Sequence, residues 1–104
     1  MICMTITFTI IPNYEQDVLK LLHQLIHHAS TNPHILEAHI YRSQKEPYNF
    51  FAYLQFTDQA ALDAHEGNAY YGEYVMTNLY GMLAKDSPTI ETYKSLFQHT
   101  RHEK

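Results

Sequence analysis

The chain has no tryptophan, one cysteine and three glycines in 104 residues. A single cysteine, Cys3, forms no internal disulfide and supplies one thiol where a structural zinc site takes four ligands. That usage points to a reducing, cytoplasmic compartment. The glycines, Gly67, Gly72 and Gly81, make no G-x-G-x-x-G pattern, so a dinucleotide loop is not expected. Cations are also scarce. Seven Lys and Arg against eleven Asp and Glu leave a net charge of −4, which suits neither a phosphate backbone nor any nucleic-acid partner. The longest apolar run is five residues, Phe50 to Leu54, whereas a membrane-spanning helix needs roughly 20. The opening residues alternate apolar side chains with Thr and lack positive charge, so they do not read as a secretion signal. With 45% apolar and 17% charged residues, the chain is too apolar to be disordered and reads as one globular domain.

Four prolines, at 12, 33, 47 and 88, punctuate the pattern. Residues 2 to 11 alternate, with Ile2, Met4, Ile6, Phe8 and Ile10 opposed to Cys3 and three Thr, which predicts a strand. From Tyr14 to Ser30, Val18, Leu22, Leu25 and Ala29 recur at helical spacing, flanked by Leu19, Leu21 and Ile26. Asn13 is the expected N-cap, Glu15 and Asp17 complement the helix dipole, and Thr31-Asn32-Pro33 is a stop. Residues 34 to 43 alternate again, setting Leu36, Ala38 and Ile40 against Glu37, His39 and Tyr41. A polar connection, Ser43 to Pro47, joins them to an aromatic strand, Phe50 to Phe56. Asp58 caps a short helix, Gln59 to Glu66, broken by Gly67 and Asn68. A further helix is expected over Ala69 to Leu83, with Tyr71, Val75, Leu79 and Met82 on one stripe, and a last strand over Thr89 to Phe97. Residues 1–97 thus form a single domain and 98–104 a polar tail.

The order strand–helix–strand–strand–helix–strand predicts an α+β, ferredoxin-like βαββαβ fold with a four-stranded antiparallel sheet. Right-handed crossovers put both helical layers on one sheet face. The other face, rich in Thr and Tyr, needs cover, and a second copy of the chain would supply it.

The stretch from Phe50 to His65, FFAYLQFTDQAALDAH, resembles the antibiotic-biosynthesis monooxygenase family of the dimeric α+β barrel superfamily. The shared pattern is an aromatic strand, an acidic N-cap, an Ala/Leu helix and a closing His, followed about five residues later by Tyr70-Tyr71. The likeness extends over most of residues 4 to 97. Many members carry Glu where this chain has Leu54 and His where it has Tyr70, while His65 and Tyr71 match. The resemblance implies a homodimer that oxidises a small quinol or phenolic substrate with O₂ and uses no cofactor or metal. Haem-degrading relatives use a Trp, which this chain lacks.

His65 follows Leu62 by three residues and Ala61 by four, so it turns toward the sheet. A half-buried imidazole there could accept a phenol proton; it could equally be a packed histidine. Tyr71 is the second catalytic candidate, orienting the substrate. Tyr70, Tyr53, Phe8, Leu54 and Val75 are assigned to the walls of a small aromatic or apolar pocket, for which core or dimer-interface packing is the plainer reading. His23 and His27 stand at i, i+4 on the first helix with His28 beside them, a spacing that can hold a metal, but no third ligand is evident and all three are expected to face water. The alternatives to a monooxygenase are a dimer that binds a small molecule in the same pocket without turnover, an isomerase-like relative using that pocket, or a purely structural dimer.

Overall fold

The structure, a computed structural model, describes residues 1–68, 72, 75–99 and 101. Its elements are β1 (Ile2–Thr9), α1 (Glu15–Ser30), β2 (Ile35–Arg42), β3 (Asn49–Phe56), α2 (Gln59–Glu66), α3 (Thr77–Tyr80) and β4 (Thr89–Lys94). The strands form one antiparallel sheet in the order β2-β3-β1-β4. The alternation of β1 decides its faces. Met4, Ile6 and Phe8 are buried in a core that also takes Phe50, Ala52, Leu54 and Phe56 from β3. On the helical side, α1 contributes Val18, Leu21, Leu22 and Leu25 to that core, and Leu62, Val75 and Leu79 complete it. Each such side chain removed from water stabilises the fold by about 1.5–3 kcal/mol before entropy is counted.

Several expectations need correction. Asn13 does not cap α1. Pro12, with its fixed φ and missing N–H, starts a tight turn over Pro12–Tyr14, and Tyr14 becomes the residue preceding the helix, with no side-chain cap. Leu19 is 37% exposed rather than part of the buried stripe. In β2 the register shifts between Ile35 and Glu37: Ile35 opposes Phe56 and Glu37 opposes Gln55. Leu36 is therefore an extra residue in a bulge and is 48% exposed, while Ile35 packs on the core in its place. Strand β1 ends at Thr9, and Ile10 forms an isolated bridge to Leu83. Of the helix expected over 69–83, Gly72, Val75 and Met76 are π-helical and lead into α3 at Thr77–Tyr80, which Gly81 ends; Ala69, Tyr70, Tyr71, Glu73 and Tyr74 lie outside the described residues. β4 stops at Lys94, and Leu96 and Phe97 beyond it are 82% and 93% exposed.

No helix or strand among the described residues covers the face of the sheet away from the helices; at one end the segment after β4 lies on it, where Gln98 accepts from the buried Gln55 at 3.4 Å. Pairing sets the side chains of this face in three rows: Tyr41–Phe51–Thr7–Thr89, His39–Tyr53–Thr5–Glu91 and Glu37–Gln55–Cys3–Tyr93. Rings stack along it, Tyr41 on Phe51 at 6.2 Å and His39 on Tyr53 at 6.3 Å between centroids.

Candidate active site

Helix α2 places the imidazole. Asp58 leaves the strand in an extended conformation, and its side chain accepts a hydrogen bond from the Ala61 N–H at 2.9 Å, satisfying one orphan donor of the first turn. Gln59 donates to Asp63 at 3.0 Å one turn later. The helix then presents Leu62 and His65, three residues apart, to the sheet; both are buried. The His65 ring lies 5.2 Å from that of Phe56, tilted by 51°. Burial, with a smaller contribution from the nearby His28, lowers the His65 pKa to about 4. The imidazole is therefore neutral at pH 7.

His28 departs from expectation. It was expected in water with His23 and His27, yet it is half-buried and its charge acts on His65. The sequence carried a signal for this: His28 follows the buried Leu21 by seven residues, two helical turns, and so shares its face.

The residues assigned to a pocket separate into groups. Leu54 and Val75 share the core with Phe56, the ring that His65 packs on, and all are nearly or fully inaccessible. Phe8 is also buried, but at the opposite end of the sheet. It opposes Phe50 and stacks on it at 5.4 Å, whereas Phe56 opposes Ile2. Six residues of strand at ~3.3 Å each put these ends roughly 20 Å apart, so Phe8 does not share one pocket with His65. Tyr53 lies on the other sheet face, where its hydroxyl is 3.2 Å from Cys3 Sγ. That hydrogen bond, with partial burial and the neighbouring Cys3, pushes the Tyr53 pKa up to about 12. Tyr70 and Tyr71 lie outside the described residues.

None of the open spaces described is lined by His65 itself; one of 610 Å³ along α1 is lined by its neighbour His28, with His23, Gln24, His27 and Thr31. A 330 Å³ groove runs between α1 and β2, lined mainly by Leu19, Leu22, Ile26, Ile40 and Phe50, with His23, Tyr41 and Arg42 as its polar lining. A third, of 520 Å³, opens where β1 ends and the β2–β3 hairpin meets the loop before β4. Its polar residues, among them Arg42, Ser43, Asn49, Lys85 and Ser87, were not singled out from sequence. They are far apart in the chain, and no spacing rule connects them. Among the described residues no cluster of three His, Cys, Asp or Glu could hold a metal, and no helix is long and apolar enough to cross a membrane.

A split βαβ unit with two helical layers on one side and a buried imidazole at the end of its second helix defines an α+β, ferredoxin-like protein. The antibiotic biosynthesis monooxygenase family profile matches residues 1–76, and the chain belongs to that family. Among solved structures, it superposes with a TM-score of 0.82 on an antibiotic biosynthesis monooxygenase at 21% identity, covering 92% of this chain and 99% of the other. A conserved protein of Methanosarcina mazei is similar at a TM-score of 0.83 and 18% identity, covering 91% and 92%. A Mycobacterium tuberculosis protein gives 0.84 at 16% identity, covering 95% and 98%. At such identities the likeness speaks for the fold alone. No protein of curated function matches in sequence.

Proposed function

We propose that the protein is a cofactor-independent monooxygenase that converts a small phenol to a quinone with O₂, with His65 as proton acceptor. The reading rests chiefly on His65: the imidazole at the family's matching position is buried and uncharged, as a base must be before it acts. The reaction balances as phenol plus O₂ giving quinone plus water. The substrate supplies all four electrons that O₂ takes up, and one oxygen atom enters the ring while the other leaves as water. His65 takes the phenolic proton, and the phenolate, richer in electrons, reduces O₂. With a pKa near 4 the free imidazole is a weak acceptor. A phenolate formed beside it raises that pKa, because opposite charges favour the charged form. Proton transfer is thereby tied to substrate binding and to exclusion of water. Leu54 and Val75 would wall the substrate, and Tyr71 and Tyr70, which follow α2, would orient it. In this reading the active form is a cytoplasmic homodimer closed across the uncovered sheet face.

Oxygen consumption with a panel of phenols and hydroquinones tests this. Turnover is expected with at least one of them, and His65→Ala is expected to lower kcat by about 10²-fold, at the low end for loss of a general base. Uptake by the variant as fast as by the parent would remove His65 from the chemistry.

One observation favours a second reading, a dimer that binds a small molecule without turning it over. His65, Leu54 and Val75 are packed into the core, and none of them lines any of the described grooves. Saturable ligand binding with no oxygen uptake across the panel would select it.

A further inference from the structure

The groove at the end of the sheet is furnished for a ligand, and nothing in the proposed reaction uses it. Its 520 Å³ is within the range of small-molecule sites, ~300–1,000 Å³. Three segments build it: the end of β1, the base of the β2–β3 hairpin, and the loop 84–88. That loop is held to β1, since the Ala84 N–H donates to the Thr9 carbonyl at 2.8 Å and the Thr9 N–H to Ser87 Oγ at 3.0 Å.

Its polar groups have been pre-set as donors by their own hydrogen bonds. Ser87 Oγ accepts from Thr9, which leaves its O–H to donate. Ser43 Oγ accepts from the Lys45 and Glu46 N–H groups at 3.2 and 3.0 Å, so its proton too points elsewhere. Asn49 Oδ1 is occupied by the Thr9 hydroxyl at 2.6 Å, leaving the amide N–H groups for another partner. Two cations stand with these donors. Arg42 gives one nitrogen to Glu15 at 2.7 Å and keeps others; Lys85 is exposed. The single acid of the lining is Asp86. Arg42 is already paired with Glu15, so Lys85 is the cation left against Asp86, and the lining is close to neutral overall with donors in excess. Beside the donors stand the exposed, stacked rings of Tyr41 and Phe51.

We infer that this groove binds a small aromatic monocarboxylate, its ring on Tyr41 and Phe51 and its carboxylate among Ser43, Asn49, Ser87, Arg42 and Lys85. The excess of donors, not a net charge, favours a carboxylate: with Arg42 paired to Glu15 and Asp86 beside Lys85, a phosphate dianion would meet too little positive charge. Tyr41 and Phe51 also belong to the sheet face proposed to pair, so the site lies at the rim of that interface.

Benzoate titrated into the ¹⁵N-labelled protein tests this, read by amide shifts and calorimetry. Saturable binding is expected, with shifts centred on Thr7, Thr9, Ser43, Asn49, Ser87 and Thr89. Lys85→Gln should weaken it about fivefold, the size of a modest charge-assisted contact. Lys45→Gln, the same charge change outside the lining, should not. Benzyl alcohol, which keeps the ring, and cyclohexanecarboxylate, which keeps the charge, should both bind more weakly. Absence of saturation, shifts centred on α2, or equal affinity in the Lys85→Gln variant would overturn the assignment. Tighter binding of phenyl phosphate would overturn the choice of a carboxylate. The readout is binding alone, so its failure leaves the His65 reaction standing and loss of that reaction leaves the groove standing.

Discussion

His65 is the residue on which stability and chemistry meet. Its pKa is about 4 in the folded chain and ordinarily 6.5. Between those values the unfolded chain binds a proton that the folded one refuses. Stability must therefore fall as pH drops from about 6.5 to about 4, and is unaffected by this group above 6.5. A shift of this size corresponds to about 3 kcal/mol. Denaturant unfolding of parent and His65→Leu across this range should show the parent losing about that much more than the variant, because leucine cannot titrate. Parallel pH curves would mean that folding leaves the His65 pKa unshifted. The same helix offers a second test. Asp58→Ala removes the hydrogen bond to the Ala61 N–H and should lower stability by about 1 kcal/mol, seen as a lower Tm with unchanged secondary structure. No change in Tm would show that water replaces the cap.

At the scale of elements, what could be read from sequence depended on how local the cause was. α2 was fully legible, because its cap, its apolar pair and its glycine stop all lie within ten residues. β1 was nearly so, since one face is buried and alternation leaves a single register. Misreadings arose where a partner elsewhere decided the outcome. In β2 the alternation favoured Leu36, but pairing with β3 inserts a bulge there and turns it outward. No pattern within β2 could announce this, since the register belongs to both strands. The candidate site divides the same way. The inward turn of His65 follows from helical spacing, whereas the grouping of Leu54 and Val75 without Phe8 or Tyr53 needed the sheet. The bulge makes its own prediction. Leu36→Ser should change stability by less than about 0.5 kcal/mol, as at an ordinary surface site. Ile35→Ala, which empties a position packed on the core, should cost about 1–2 kcal/mol, below the 2–5 of a fully buried site. Urea midpoints would decide, and a larger loss at Leu36 than at Ile35 would refute the bulged register.

For the whole molecule, the uncovered sheet face demands an explanation. Tyr41 and Phe51, stacked on each other, are 53% and 38% exposed on it and Tyr93, at the opposite corner, 47%; exposed aromatics spread over one face mark an association surface. A second copy fits because the face, whose charged groups are Glu37 and Glu91, otherwise mixes hydrogen-bond donors and acceptors with aromatic rings and can meet itself across a two-fold axis. Four strands ~4.8 Å apart and up to eight residues of ~3.3 Å give a footprint of roughly 19 by 26 Å, about 500 Å². A stable interface takes ~800 Å² per partner. The flat face is thus too small by itself, and Leu96 and Phe97, exposed just past β4, are the apolar groups placed to add to it. Light scattering after gel filtration should find the parent at about twice the 12.2 kDa chain mass. Thr5→Arg, in the middle row beside Tyr53 and Glu91, puts a charge at the centre of the contact and should yield folded monomer. Leu96→Ala with Phe97→Ala removes only the flank and should weaken the dimer without abolishing it. If the parent is monomeric at micromolar concentration, the face serves another partner. If the double variant dimerises as tightly as the parent, the sheet alone is sufficient and the area argument fails.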